Sequence, residues 1–171
     1  MKAILQIISE KYKNDAGNLT ACAVIILIFL ILVLFLIYFF RYLKHTKIKR
    51  LVKKCSALSP QQFFRIKKTS SGKRRITLYD NEFAGVYILY NTTKNMYYVG
   101  QSKHVMSRIY SHLTGHGNGD VYADYKYGDE FSIKLISLQG SGYSTLNALE
   151  RDTISAYDSY ANGYNKTRGN N

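Results

Sequence analysis

Between Val24 and Phe40 the chain uses only Val, Ile, Leu, Phe and Tyr, and no charge interrupts it from Ala16 to Phe40. Roughly 20 apolar residues carry a helix across a bilayer. A core helix of this length would show a polar face, and this run has none. A secretory signal has a shorter apolar region followed by small residues. Here the run ends in Tyr38-Phe39-Phe40-Arg41-Tyr42-Leu43-Lys44, aromatic residues and then cations, as at a membrane interface. The pattern predicts a short N-terminal tail over 1–18 and one transmembrane helix over 19–41.

After residue 41 the periodicity changes. Ser59-Pro60 reads as a helix start, with Ser at the cap and Pro in the first turn, leading into Gln61, Phe63 and Phe64. Alternation in Arg75-Ile76-Thr77-Leu78 suggests a strand after a turn at 69–72. Gly85-Val86-Tyr87-Ile88-Leu89-Tyr90 and Met96-Tyr97-Tyr98-Val99-Gly100 read as two strands of a hairpin around Asn91-Thr92-Thr93-Lys94-Asn95. Val105, Met106, Ile109, Tyr110 and Leu113 recur at spacings of three and four, a helix capped by Ser102 and ended by Gly115, Gly117 and Gly119. A short helix is expected near 121–126, a third strand over 131–138, and a longer helix over 145–160 capped by Ser144. The order strand, strand, helix, strand, helix predicts an α+β layer: a small three-stranded antiparallel sheet flanked by helices.

Charge sharpens the organisation. Residues 41–84 hold thirteen of the 24 Lys and Arg but two of the 11 acids, while 85–171 is nearly neutral. Seven cations follow the apolar run closely and three precede it, which predicts a single-pass protein with its C-terminal domain in the cytoplasm. The cluster at 41–54 suits topology and anionic lipid head groups. Arg65, Lys67, Lys68, Lys73, Arg74 and Arg75 suit a phosphate backbone. Both cysteines, Cys22 and Cys55, precede the last 116 residues, so no disulfide forms within that part, as in a reducing compartment. Leu19-Thr20-Ala21-Cys22 has the form of a lipoprotein cleavage box, but the apolar run follows Cys22 instead of preceding it.

Several polar residues converge on one chemistry. Tyr87 and Tyr98 lie on adjacent antiparallel strands. A tight turn would set them directly opposite each other, and a longer one would shift them. Arg108 and His112, four apart, share a helix face. Glu150 is among the few acids of the last helix. Phosphodiester hydrolysis calls for these groups: a carboxylate for a divalent cation, a guanidinium for phosphate oxygens, and a phenol or imidazole near the attacking water.

Gly85-Val86-Tyr87, then Tyr98-Val99-Gly100, Arg108, His112, Glu150 and Gly163-Tyr164-Asn165 together resemble the GIY-YIG nuclease domain, with Val86 and Val99 in place of the motif isoleucines. The resemblance divides the chain into the tail, the membrane helix, a basic linker or extension over 42–84, and a nuclease-like domain over 85–171. It implies a membrane-anchored, metal-dependent endonuclease acting on DNA, with incoming DNA at the membrane as one setting. By resemblance Tyr87 and Tyr98 serve the water nucleophile, Arg108 binds phosphate, and Glu150 holds one Mg²⁺ or Mn²⁺. His112 gives acid-base or hydrogen-bonding support, and Asn165 closes the site. Two other readings use the same features: an inactive fold tethering nucleic acid at the membrane, and a protein whose basic linker binds lipid.

Overall fold

The computed structural model describes residues 2–69 and 82–170, with side chains described at position 6 and over 20–66 and 82–170. These residues form two compact units, 1–43 and 44–171. The expected strand over 75–78 lies outside the described residues.

The first unit is helical throughout. Helix α1 (Lys2–Lys53) begins well before the expected span and ends well after it. Its stretch from Thr20 is long and apolar enough to cross a membrane. Val24 to Phe40 are exposed apart from half-buried Val33, so no protein covers their apolar surface. A bilayer removes that cost, because lipid takes the place of water and the helix satisfies its own backbone.

The second unit is built on a sheet of strands β1 (Gly85–Asn91), β2 (Met96–Ser102) and β3 (Phe131–Ser137). Their order is β2-β1-β3, with both pairings antiparallel. Alternation along β1 sends Tyr87 and Leu89 to one face and Val86 and Ile88 to the other, and each face meets its own apolar cluster. The first face carries α2 (Pro60–Thr69), α3 (Val105–Leu113) and α4 (Gly119–Lys126). The second carries α5 (Leu146–Tyr157) and the last turns of α1.

The outer edges of β2 and β3 are both covered, which prevents pairing with other chains. Leu58 pairs with Ile133 on β3. Tyr164 N–H donates to Tyr97 O on β2, and the Asn165 side chain continues that contact.

Local signals explain the helix ends. Ser59 and Gln62 cap α2 reciprocally: Ser59 Oγ accepts from Gln62 N–H at 3.2 Å, and Gln62 Oε1 accepts from Ser59 N–H at 2.8 Å. Thr145, not Ser144, caps α5, taking the Ala148 N–H at 3.2 Å. That helix stops at Tyr157 because Asp158 turns left-handed at φ 51°. Ser102 does not cap α3. Its hydroxyl takes the His104 N–H, while the Glu82 carboxylate accepts from Met106 and Ser107 N–H at 3.0 and 2.7 Å. Backbone donors at a helix start favour an anion, so Glu82 both satisfies and charges that end.

Within the stretch written as a basic linker or extension, residues 44–69 are packed. Ile48 and Phe63 are fully buried and Val52 nearly so. Lys44 pairs with Asp152 at 3.5 Å, and Lys47 donates to Gly142 O at 2.9 Å over the Tyr143 ring. Lys49, Arg50, Lys53 and Lys54 are exposed.

Removing the Ile48 side chain leaves a cavity under α5. Ile48→Ala is expected to lower the unfolding free energy of this unit by about 2–5 kcal/mol. Urea titration of the full chain in detergent, followed by tyrosine near-ultraviolet dichroism, measures it. A fragment starting at Cys55 loses Ile48 and Val52 together and is expected to unfold at still lower urea.

Candidate active site

Tyr87 lies mid-way along the central strand and opposite Gly100 of β2. A Cβ at position 100 would collide with the Tyr87 hydroxyl and ring, so the glycine of Tyr98-Val99-Gly100 is what lets the phenol lie across β2. Tyr98 stands opposite Leu89, two residues along on the same face, with its ring centroid 6.2 Å from that of Tyr87. The longer of the two turns anticipated is therefore the one found. Asn91 pairs with Met96 and leaves four residues in the turn. Asn91 Oδ1 holds the Lys94 N–H at 3.0 Å, and Asn95 closes the turn at φ 54°.

Helix α3 brings Arg108 and His112 to this face. His112 is fully buried, and its ring is held at both nitrogens. Nδ1 accepts the Asn118 backbone N–H at 2.8 Å. Nε2 lies 2.8 Å from the Tyr87 hydroxyl oxygen. A neutral imidazole has one donor and one acceptor nitrogen, and a backbone N–H can only donate. The proton of neutral His112 therefore sits on Nε2, and His112 donates to Tyr87. Burial, helped by the Arg108 charge, pushes the imidazole pKa down to about 4, so the ring is neutral at physiological pH. Gly117 makes room for it, because a Cβ there would strike Nδ1.

Burial raises both phenols above the ordinary tyrosine value. The exposed guanidinium of Arg108 works against burial at each. The Glu150 carboxylate pushes Tyr98 further up, so the acid on α5 is felt on this face too.

Glu150 is 7 % exposed. Its Oε2 accepts from Gln101 Nε2 at 2.9 Å, and the same amide donates to Asn147 Oδ1 at 2.8 Å. Asn170 reaches the same oxygen at 3.4 Å. Burial raises the carboxyl pKa, partly offset by these hydrogen bonds. Among the described residues Glu150 forms no ion pair. A buried carboxylate without a counter-charge is costly, and a cation is what it lacks. No group of three or more His, Cys, Asp or Glu able to hold a metal occurs among the described residues. The donor set thus fits an ion that keeps most of its waters, the habit of Mg²⁺.

Asn165 stands apart from this group. Its Oδ1 accepts the Val99 N–H at 2.9 Å and its Nδ2 donates to Val99 O at 2.7 Å, so the amide acts as one more rung on β2. Of the candidate phosphate contacts, Arg65 is exposed on α2 and Lys67 and Lys68 lie near the end of that helix. Lys73, Arg74 and Arg75 lie outside the described residues.

Sequence reasoning missed Glu82, Gln101, Asn118 and Asn170. Gln101 was within reach, since it shares the Val99 side of β2 and so faces α5. Asn118 before Gly119-Asp120 has the form of a helix cap, and its Oδ1 does accept the Asp120 and Val121 N–H groups. Glu82 and Asn170 act across 24 and 20 residues and leave no local signal.

A family model described as the GIY-YIG catalytic domain matches residues 83–165. No curated protein and no solved structure compared with the chain matches it.

The buried neutral histidine carries a pH signature. Its folded pKa, about 4, lies below the ordinary 6.5, so the unfolded chain binds the extra proton first. Stability from this group is complete above pH 6.5 and is lost as pH falls toward 4, with a slope of about 1.4 kcal/mol per pH unit. Urea midpoints measured from pH 7 to pH 4 are expected to show that fall, and His112→Gln to flatten it.

Proposed function

Residues 83–165 belong to the GIY-YIG family, and from that membership we propose that the chain is a divalent-metal-dependent endonuclease that hydrolyses DNA phosphodiester bonds at a membrane surface. The observation that carries this reading is the Tyr87 hydroxyl held at 2.8 Å by His112 Nε2, beside Arg108 and Tyr98. Arg108 is the exposed cation of the group. It binds phosphate oxygens and meets the negative charge that grows on them as the bond breaks.

His112 donates its proton to the Tyr87 oxygen and keeps it. It is therefore a positioning group for Tyr87 and not the base. Because that oxygen already accepts one hydrogen bond, the phenolic hydrogen points away from His112, and Tyr98 is its side-chain hydrogen-bond partner. The Nε2–H and the Arg108 charge both favour a phenolate, and this opposes the upward pull of burial. Tyr98 packs against both rings, with its centroid 4.8 Å from that of His112, and helps keep bulk water from them.

Glu150 is the residue that would hold the divalent ion, with Gln101 fixing the carboxylate. Such an ion supplies charge neutralisation at the scissile phosphate and at the leaving oxygen. Asn165 acts through the backbone, by holding the chain end against β2.

The apolar helix supports anchoring. The seven-to-three excess of cations after it supports a cytoplasmic nuclease domain. The exposed Lys49, Arg50, Lys53 and Lys54 suit anionic head groups, and the exposed Arg65 suits a DNA backbone. A membrane site gives such an enzyme access to DNA that enters the cell.

Full-length protein in detergent is expected to nick supercoiled plasmid with Mg²⁺ or Mn²⁺ and not with chelator. Glu150→Ala is expected to abolish nicking, and Tyr87→Phe to slow it by about 10²–10⁴. A folded wild-type protein that leaves plasmid intact under every metal tested would overturn the assignment.

A further inference from the structure

The sheet has a second concave feature, on the face turned away from Tyr87 and His112. A cavity of about 310 Å³ opens there between the end of α5 and the last turns of α1. Its apolar base is Val52 and Ile88. Its walls are three tyrosines. Tyr90 and Tyr97 stand directly opposite each other across β1 and β2, with rings stacked 4.3 Å apart at 13°. Tyr157 tilts onto Tyr97 at 4.9 Å. Ser132 and Lys134 of β3 supply the polar side.

Two features need more than packing to explain them. A cross-strand aromatic pair alone stabilises a hairpin, but here a third ring joins it around an open space at the small end of the ligand-pocket range, roughly 300–1,000 Å³. Lys134 is half-buried, yet among the described residues it makes no hydrogen bond or ion pair. A half-buried ammonium with no counter-charge among the described residues can take an anion. Burial raises the Tyr97 phenol and pushes that of Tyr157 up to about 12, so both are neutral.

We infer that this cavity is a second nucleic-acid site, in which one base of a single strand packs against Tyr157 and the Tyr90–Tyr97 stack while Lys134 takes its phosphate. Aromatic faces and a cation are the pairing that single strands use, because every base has a flat face and every link a charge. The inference rests on the nuclease reading only for the kind of partner. Tyr97 and Tyr98 are consecutive on β2, so one strand would carry Tyr98 beside Tyr87 and His112 on one face and a holding site on the other, the face that also carries Gln101 and α5. Such a site would retain a frayed end or a cut product while the duplex occupies the first face.

The test uses the full chain in detergent with chelator present and a fluorescein-labelled five-residue oligothymidylate as probe, read by anisotropy. Wild type is expected to bind. Tyr157→Leu is expected to weaken binding on the order of tenfold. Lys134→Ala is expected to weaken it and to lower the slope of log affinity against log salt by about 0.7. Lys134→Arg is expected to restore both. Plasmid nicking by Lys134→Ala is expected to match wild type. If Lys134→Ala and Tyr157→Leu, both folded by near-ultraviolet dichroism, bind the oligomer as wild type does, the site is refuted while the nuclease stands. If no variant nicks plasmid but oligomer binding still depends on Lys134, the nuclease reading falls and the pocket stands.

Discussion

The hydroxyl of Tyr87 and the Nε2–H of His112 meet where solvent does not reach, and the rest of the nuclease domain is arranged to keep them there. Tyr87 needs the bare backbone of Gly100 to cross β2, and His112 needs the bare backbone of Gly117 to fit beneath its loop. The Asn118 N–H occupies the other nitrogen of the ring, so the imidazole cannot exchange its donor and acceptor sides. Around this fixed pair stand one exposed cation, Arg108, and one buried anion, Glu150, on separate helices.

The same economy shows at the sheet edges. β2 carries Tyr98 on one face and Gln101 on the other, so a slip of one residue would exchange the faces and dismantle the site. The four-residue turn with its left-handed Asn95 sets that register at one end. At the outer edge, Tyr164 and Asn165 occupy the groups that a further strand would use. Position 165 thus acts on β2 through hydrogen bonds to the Val99 backbone.

What could be read from the chain was whatever depends on near neighbours. The hairpin followed from two β-branched and aromatic runs around a polar turn, the shared helix face of Arg108 and His112 from a spacing of four, and the start of α2 from Ser59-Pro60. The long apolar helix needed only length and composition. The register of Tyr87 against Tyr98 stayed open until the turn was seen, because turns of different length are all compatible with the same residues. The cap of α3 was misread as Ser102 because its true partner, Glu82, comes from a distant segment of the chain. Residues 44–54 read as part of a basic linker or extension because of their cations. Only packing reveals Ile48 and Val52 beneath them. Gln101 was overlooked for another reason: an amide has no charge to attract notice, yet it donates a hydrogen bond to the buried Glu150 carboxylate.

The histidine is held at Nδ1 by main chain, and this bears on how the site can vary among sequences. A side-chain partner would tie two positions together, so that a change in one required a change in the other. A peptide N–H is present whatever residue stands at 118, with proline the sole exception. Position 118 is thus free to drift in sequence, with its effect on helix capping as the main consequence, while the proton on His112 stays where it is. The drift ends at Gly117, where the first carbon of any side chain would press on the ring.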